Sequence, residues 1–371
     1  MNTHQQERKA LRARLLDYIE HNQGDFDTLA LDLFAHQYAH NQPYRRYCDA
    51  AAPQASQIDH WTKIPTVPTD VFRFTTLLCG EPSQGAFIFR TSGTTSGRRG
   101  EHHLRELGVY HTSALKSIER LLVPDGLERP ALMLAPSPQD LPDSSLSSML
   151  GLIAEHHTGN RATFAWSSGQ LNIPAAWGWL QDAAARADQP VMVLATSFAM
   201  VHLLDADPQT TLALPPNSMV MLTGGTKGRT REISVQDIES MVTERLGVPH
   251  HHIVHEYGMT ELGSQLYDPR LALWLDNQPL PDTPTFKGPH WCRVTAHDPI
   301  SLAPLGVGQT GLLRFTDLSN LDSVISIQTS DMGTVLEASP MGDTIVLKGR
   351  APGAVPRGCS LIIEESAWGS S

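Results

Sequence analysis

Small hydroxyl-bearing residues and glycines are concentrated between Arg90 and Leu104, in the sequence RTSGTTSGRRGEHHL. Backbone amides freed by glycine, together with Ser and Thr hydroxyls, form a cradle suited to phosphate oxygens. Arg98 and Arg99 stand at the end of this cradle and would add charge-assisted hydrogen bonds. The apolar run AFIF precedes the segment, and helical spacing follows it. We therefore predict a phosphate-binding loop between a short buried strand and a helix.

Two common phosphate-binding patterns do not fit this loop. The pattern GxxxxGK[ST] requires Lys and then Ser or Thr after Gly97, where Arg98 and Arg99 stand instead. The pattern GxGxxG is absent from the segment. A flexible Gly/Ser turn is the alternative that the segment alone leaves open.

Three further segments make the phosphate interpretation more specific. YGMTE (257–261) stands at the end of a predicted strand, TSDMG (329–333) begins a predicted turn, and LKGR (347–350) follows it. Each has a structural alternative: a core tyrosine, a solvated glutamate or a turn aspartate. In this order and at this spacing, the loop and the three segments resemble the adenylate-forming superfamily of acyl and aryl ligases. In that superfamily a carboxylate attacks the α-phosphate of ATP and gives an acyl-adenylate and pyrophosphate.

The resemblance assigns roles to the residues of these motifs. The loop residues implied to hold the β- and γ-phosphates are Thr91, Ser92, Gly93, Thr94, Thr95 and Gly97. In YGMTE, Tyr257 would stack beside adenine, Thr260 would contact the α-phosphate and Glu261 would hold Mg²⁺. A carboxylate oxygen suits this hard cation, which neutralises the charge of the leaving pyrophosphate.

The remaining implied contacts are to the nucleoside. Asp331 would accept hydrogen bonds from both ribose hydroxyls, and Arg350 would approach the same ribose. In TGG (223–225), Gly224 and Gly225 would let the backbone come close to the adenine face. The cofactors implied are ATP and Mg²⁺.

The form of the loop points to one family within the superfamily. The usual loop is SGTTGxPKG, whereas this chain has SGTTSGRRG, followed by HHL and Tyr110. This pattern resembles the acyl-protein synthetases of bacterial bioluminescence operons, the LuxE family, which are related to phenylacetate-CoA ligases. The blocks that agree, between about residues 10 and 364, are IPTVPTDVF, TSFAMVHLLD, LTGGTKGR, HEYGMTE and GRAPGAVPRGCSL.

The C-terminal region departs from the general superfamily pattern. Most members continue for a further domain, whose lysine contacts the carboxylate, but only about twenty residues follow Arg350 here and none is a lysine. We expect an adenylation domain at residues 1–345 and a short tail at 346–371, with the usual small C-terminal domain largely missing. The positive charge of that lysine would have to come from another residue, and the candidates are Arg98, Arg99 and Lys227. We count Arg98 among the catalytic residues.

The tail contains Cys359, in PRGCSL. In acyl-protein synthetases the acyl group passes from the adenylate to a cysteine near the C-terminus and then to a partner reductase, so the resemblance implies that Cys359 is the nucleophile. A thiolate attacks a mixed anhydride well, and Arg357 would lower the thiol pKa. The alternative is a small buried cysteine. Cys48, Cys79 and Cys292 lack such a context, and we interpret them as structural.

The composition and the cysteine spacing argue against several other classes of protein. A formal net charge of -11 argues against nucleic acid as a partner. No apolar run reaches the length of a membrane span, and the four cysteines stand far apart without CxxC spacing. We expect a cytoplasmic protein whose partners are a small carboxylic acid, ATP and a reductase or carrier protein.

Apolar runs of strand length alternate with helical segments, which predicts an α/β fold with mostly parallel sheets flanked by helices. The first segment, to about Tyr47, is predicted to be helical. After about Lys287, apolar and polar residues alternate between turn signals. This alternation predicts a β-rich, antiparallel C-terminal part.

Three functional hypotheses remain open at this point. The first is an acyl-protein synthetase, the second an acyl- or aryl-CoA ligase of the phenylacetate type, and the third a non-catalytic acyl- or nucleotide-binding subunit.

The histidines raise a separate question about metal binding, since HHHIVHE (250–256) offers ligands for zinc but lacks the HExxH order. His102 and His103 directly follow the loop, as ligand contacts or as solvated side chains.

Overall fold

The computed structural model describes residues 3–51, 57–81, 86–91, 98–224 and 233–351. The helices of this part of the chain are α1 Thr3–His21, α2 Phe26–His40, α3 Gln42–Ala51, α4 Gly108–Ser117, α5 Ser145–His156, α6 Ile173–Ala185, α7 Ser197–Ala206, α8 Val235–Leu246 and α9 Arg270–Leu275. The strands are β1 Val67–Pro68, β2 Phe87–Arg90, β3 Glu101–Leu104, β4 Ala131–Leu134, β5 Ala162–Phe164, β6 Trp166–Ser167, β7 Gln170–Leu171, β8 Met192–Thr196, β9 Met219–Thr223, β10 Ile253–Tyr257, β11 Leu266–Tyr267, β12 Phe286–Lys287, β13 Cys292–His297, β14 Thr310–Asp317, β15 Ser326–Glu337 and β16 Thr344–Arg350.

The middle of the chain forms a parallel sheet in the order β5-β4-β8-β9-β10. All residues of β8 and β9 are buried, as expected for strands covered on both faces. Helices α6, α7 and α8 pack on one face, and α4, α5 and α9 pack on the other. The predicted α/β class is confirmed.

The sheet continues through antiparallel strands in the order β10-β11-β12-β16-β15-β14-β13, and β1 pairs in parallel with β15. This part contains the predicted antiparallel C-terminal strands. The three N-terminal helices pack their apolar faces against it in one core. The side-chain amide of Gln37 joins the two regions, because it donates to the Asn320 carbonyl at 2.7 Å and accepts from the Ile325 amide at 3.0 Å.

One helix of the parallel part starts directly at the end of a strand. Thr196 is the last residue of β8 and also the N-cap of α7, where its hydroxyl accepts from the Ala199 amide at 3.0 Å. Ser144 and Ser234 cap α5 and α8 in the same way. At the tight junction of β8 and α7, the carboxyl end of the strand meets the N-terminus of the helix.

Two local predictions were wrong. The run AFIF forms β2, but this strand is not buried: Phe87 is 46% exposed, and among the described strands β2 pairs only with β3, in an antiparallel hairpin. The segment TSDMG does not begin a turn, since it lies inside β15, where Asp331 pairs with Arg350 of β16.

Strand β16 is continuous across the expected domain boundary between residues 345 and 346. Within the described residues, no helix is both long enough and apolar enough to cross a membrane.

Candidate active site

The loop that follows β10 carries Thr260 and Glu261, and both residues are buried. Side chains from distant parts of the chain hold its backbone. The ring nitrogen Nδ1 of His102 donates to the Thr260 carbonyl at 2.8 Å, and the Asn320 amide donates to the Glu261 carbonyl at 2.9 Å. The Gly263 amide donates to Asp317 Oδ2 at 2.9 Å. The loop is therefore fixed from two sides by buried polar groups.

Asp317, the last residue of β14, is the centre of one of these anchors. Its carboxylate also accepts from the hydroxyls of Ser264 at 2.7 Å and Ser319 at 2.6 Å. The Ser319 amide also donates to Asp317, at 3.0 Å. Burial raises the pKa of Asp317, whereas these four donors favour the ionised form. A buried carboxylate with this many donors is a structural support.

Tyr257, Asp331 and Arg350 come together although they are far apart in the sequence. The Tyr257 hydroxyl donates to Asp331 Oδ2 at 2.8 Å, and Arg350 Nε lies 3.1 Å from Asp331 Oδ1 in an ion pair. Burial, together with the Asp331 carboxylate, raises the pKa of Tyr257 well above 10, so the phenol stays protonated and donates. The Tyr257 ring stacks on Phe315 with centroids 5.6 Å apart.

This arrangement orients the Asp331 carboxylate. A carboxylate has about four lone-pair sites, and Tyr257 and Arg350 approach one oxygen each. The oxygens therefore retain acceptor capacity for further donors such as vicinal hydroxyls. Asp331 is only partly buried, which is compatible with such access.

The end of β9 lies beside the end of β10, since Thr223 pairs in parallel with Glu256. The Thr223 hydroxyl donates to the Glu256 carboxylate, which is buried. Gly224 follows with a φ of 71°, in the left-handed region that favours glycine, and its carbonyl accepts from the Ser197 hydroxyl at 2.8 Å. Gly225 and Lys227 lie outside the described residues.

The base of the predicted phosphate loop is closed by Thr91 and Gly100. The Thr91 amide donates to the Gly100 carbonyl at 2.9 Å, and the Gly100 amide donates to the Thr91 hydroxyl at 2.7 Å. Arg99 donates to the Thr91 carbonyl and forms an ion pair with Asp143 at 2.9 Å. The loop residues outside the described part of the chain are Ser92, Gly93, Thr94, Thr95 and Gly97.

The candidate cations differ in their surroundings. Arg98 is exposed, its guanidinium lies 5.9 Å from the centre of the Phe74 ring, and its carbonyl accepts from Arg73 Nε. Arg99 is only partly buried and is engaged by Asp143. Of the two, Arg98 has the more accessible guanidinium. Its catalytic role stays a prediction.

The cysteines outside the tail are buried thiols, in agreement with the structural interpretation of Cys48, Cys79 and Cys292. Burial raises the pKa of Cys48 to about 12 and also raises the pKa of the other two thiols. Thiols of this kind are poor nucleophiles. Cys359 lies outside the described residues, so its assignment also stays a prediction.

The histidine-rich segment before β10 makes bonds within the fold. His252 Nδ1 donates to the Ser218 carbonyl at 3.1 Å, and His255 Nε2 contacts Glu239 Oε1 at 2.8 Å. Arg270 also donates to Glu239. In the part of the chain that is described, no three His, Cys, Asp or Glu side chains are grouped as metal ligands.

Several supporting residues were not identified from the sequence: His102 as an anchor, Glu256, Asp317 and Asn320. The polar run TDLSNLDS (316–323), directly after an alternating strand, was the available signal for the last two. The signal for Glu256 was a carboxylate inside a predicted strand. His102 was identified only as a residue that follows the loop.

Replacing Glu256 with glutamine is expected to flatten the dependence of stability on pH. Burial raises the pKa of Glu256 to about 7 from an ordinary 4.5, so the folded protein binds more protons than the unfolded chain between these values. The free energy of unfolding should therefore fall as pH rises through this window, by on the order of 3 kcal/mol. Urea titrations at about pH 5 and about pH 8 measure this difference.

The matched control is Glu244→Gln, which changes an exposed carboxylate on α8. This variant should keep the pH dependence of the wild type. An equal loss of stability between the two pH values in wild type and Glu256→Gln would contradict the assignment.

Comparison with solved structures identifies the class to which this fold belongs. An open conformation of 2-hydroxyisobutyryl-CoA ligase, in complex with 2-HIB-AMP and CoA, superimposes with a TM-score of 0.57 at 16% identity, over 88% of this chain and 75% of that chain. ATP-bound MatB from Rhodopseudomonas palustris gives a TM-score of 0.48 at 15% identity, over 71% of this chain and 47% of that chain. The fold is that of the adenylate-forming ligases.

Sequence comparison then identifies the family that the chain resembles. Residues 5–118 match the family described as acyl-protein synthetase, LuxE. The long-chain-fatty-acid–luciferin-component ligase of Photorhabdus luminescens is 43% identical over 68 residues, which are 18% of this chain and 56% of that protein. The chain thus spans about half the length of this curated relative. The predicted resemblance to the LuxE family is confirmed.

Proposed function

We propose that this protein activates a carboxylic acid with ATP, as an acyl-adenylate, and transfers the acyl group to a protein thiol. The observation that carries the proposal is the junction of Tyr257, Asp331 and Arg350. These residues from three strands form an oriented carboxylate beside an aromatic ring, next to the loop that carries Thr260 and Glu261. Such a junction suits a nucleoside whose phosphates extend toward that loop.

The first half-reaction forms one bond and breaks another. A carboxylate oxygen of the acid attacks the α-phosphorus of ATP, and the bond between that phosphorus and the bridging oxygen to the β-phosphate breaks. Pyrophosphate leaves with the bonding electron pair. In this step Asp331 would hold the ribose hydroxyls, and the Thr260 hydroxyl would contact the α-phosphate, held in place by the buried loop around it.

The oxygen donors of the loop fit a magnesium ion. Glu261 supplies a carboxylate and Thr260 a hydroxyl, and Mg²⁺ prefers oxygen ligands. When bound there, Mg²⁺ would neutralise charge on the phosphates of ATP. Glu261 would hold the ion, and the Asn320 bond to the Glu261 carbonyl fixes the position of this residue.

The second half-reaction transfers the acyl group. The thiolate of Cys359 attacks the carbonyl carbon of the adenylate, a carbon–sulfur bond forms, and AMP leaves with the carbon–oxygen bond electrons. We assign this step to the segment that follows β16, so that residues up to Arg350 serve adenylation and the tail carries the acceptor. A reductase or carrier protein would then receive the acyl group.

The acid is proposed to be fatty or aromatic. The name of the Photorhabdus luminescens relative, a long-chain-fatty-acid ligase, supports a fatty acid. The same name refers to a luciferin component, which supports a protein partner for the activated acyl group.

Replacing Asp331 with asparagine tests the nucleoside site. An amide presents a donor where the carboxylate accepted bonds from Tyr257 and would accept bonds from ribose. The dissociation constant for MgATP should rise by about 10- to 100-fold, the range expected for losing hydrogen bonds to a charged group. Calorimetric titration measures this change.

The control for this variant is Asp182→Asn, at an exposed position on α6, which should bind MgATP as the wild type does. Unchanged MgATP affinity in folded Asp331→Asn would contradict the assignment of Asp331 to the ribose.

A further inference from the structure

His102 is a buried histidine whose protonation state follows from its contacts. Its side chain is 1% exposed, and Nδ1 lies 2.8 Å from the Thr260 carbonyl oxygen. A carbonyl oxygen only accepts hydrogen bonds, so Nδ1 carries the proton. His102 therefore acts as a fixed donor to the backbone of the loop after β10.

The second ring nitrogen of His102 makes this side chain costly to bury. Nε2 is buried, and it has no hydrogen-bond partner within the described residues. A buried polar atom without a partner is costly, and such atoms in native structures call for an explanation. The ring edge also meets Phe72, with centroids 5.8 Å apart. An apolar side chain would fill this space without that cost.

The position of His102 links two parts of the candidate site. It lies on β3, opposite Phe89 of β2, in the hairpin whose connection carries the predicted phosphate loop. Thr260 lies in the loop after the parallel strand β10. The bond between them spans 158 residues of sequence and connects the hairpin to the residue that would contact the α-phosphate.

The other anchors of the same loop come from a different direction. Asp317 ends β14 and Asn320 lies in the turn that follows it, in the antiparallel, C-terminal part of the fold that also contains Asp331. These bonds relate the loop to the nucleoside end of the site. The His102 bond connects the same loop to the β2–β3 hairpin.

We propose that His102 is a positioning residue for adenylation, which fixes Thr260 relative to the β2–β3 hairpin through its bond to the Thr260 carbonyl. The inference rests on the proposed function, because the step it serves is attack at the α-phosphate. His102 contributes through Thr260 and does not itself exchange a proton with the substrates. Misplacement of a substrate-positioning group by about 1 Å can cost about 100-fold in rate.

Two amide variants separate this role from mere filling of space. The nitrogen of an asparagine side chain falls near the position of Nδ1, whereas that of glutamine falls near Nε2. His102→Asn should therefore keep the bond to Thr260 and retain exchange of pyrophosphate into ATP within about threefold of the wild type. His102→Gln and His102→Leu should lose about 100-fold in kcat with little change in KM for the acid.

Thermal unfolding provides the check on folding. His102→Leu removes the unpartnered Nε2 but also removes the donor to the Thr260 carbonyl, so His102→Leu and His102→Asn should both unfold in one cooperative transition at similar temperatures although the kcat of His102→Leu is lower. Folded Gln and Leu variants with wild-type kcat would overturn the proposal. Loss of one limb of the pH–rate profile in His102→Asn would also overturn it, since that result would make His102 a general base.

A readout independent of turnover separates this proposal from the proposed function. Amide hydrogen exchange in residues 258–264, with MgATP present, should be faster in His102→Gln than in His102→Asn. If the wild type shows no pyrophosphate exchange with any acid, the proposed function fails. Equal amide exchange in the two variants would then overturn the role of His102 as well.

Discussion

Replacing Glu261 with glutamine is expected to reduce acid-dependent exchange of pyrophosphate into ATP by about two to three orders of magnitude. Glu261 is buried in a loop held by His102, Asn320 and Asp317, so its position is set before substrates bind. Glutamine preserves the shape of the side chain but removes the negative charge that would hold Mg²⁺. The rate of radiolabelled pyrophosphate incorporation into ATP measures the effect.

Glu244→Gln, on the exposed face of α8, is the matched control and should exchange at the wild-type rate. Raising the Mg²⁺ concentration should partly restore exchange in Glu261→Gln, because a weakened site binds the ion at higher concentration. Wild-type exchange in Glu261→Gln at all Mg²⁺ concentrations would contradict the metal assignment.

Replacing Cys359 with alanine is expected to abolish the acyl-enzyme while leaving pyrophosphate exchange largely intact. The two half-reactions use different groups, since adenylation needs the nucleotide site and only the transfer needs a thiol. After incubation with MgATP and the acid, the wild type should carry one acyl group that hydroxylamine removes. Intact-protein mass spectrometry measures this adduct.

Cys48, Cys79 and Cys292 provide matched controls, because their buried thiols have raised pKa values and their alanine variants should still be acylated. A hydroxylamine-labile adduct that persists in Cys359→Ala would contradict the assignment of the nucleophile. Free acyl-CoA formed at the wild-type rate by Cys359→Ala would favour a CoA ligase instead.

The parallel strands could be predicted because their sequences carry the physical signal directly. MVLAT (192–196) and MVMLT (219–223) are apolar up to their final threonine, since helices cover both faces of the sheet. TSDMG misled the prediction because Asp and Gly are typical turn residues. In the fold, Asp331 pairs with Arg350 across the strands, and a Cβ at Gly333 would lie 2.7 Å from the Val346 carbonyl. Close strand packing therefore overrides the local turn preference.

The candidate site also contains residues that the sequence predicts and residues that it does not. Tyr257, Glu261 and Asp331 could be selected because their residue types and motifs carry the chemistry. The supporting residues could not be predicted, because a histidine or asparagine becomes an anchor only through a long-range hydrogen bond to a backbone carbonyl. His102 and Asn320 bond to Thr260 and Glu261 across 158 and 59 residues, and no local pattern encodes such pairs.

Acid-dependent exchange of pyrophosphate into ATP tests the central claim most directly, with a panel of fatty acids of graded chain length and of aromatic acids. The account predicts exchange that requires both Mg²⁺ and one class of acid, and that is lost in Glu261→Gln. Absence of exchange with every acid, in folded protein that also fails to bind MgATP, would contradict the assignment of this site to adenylation.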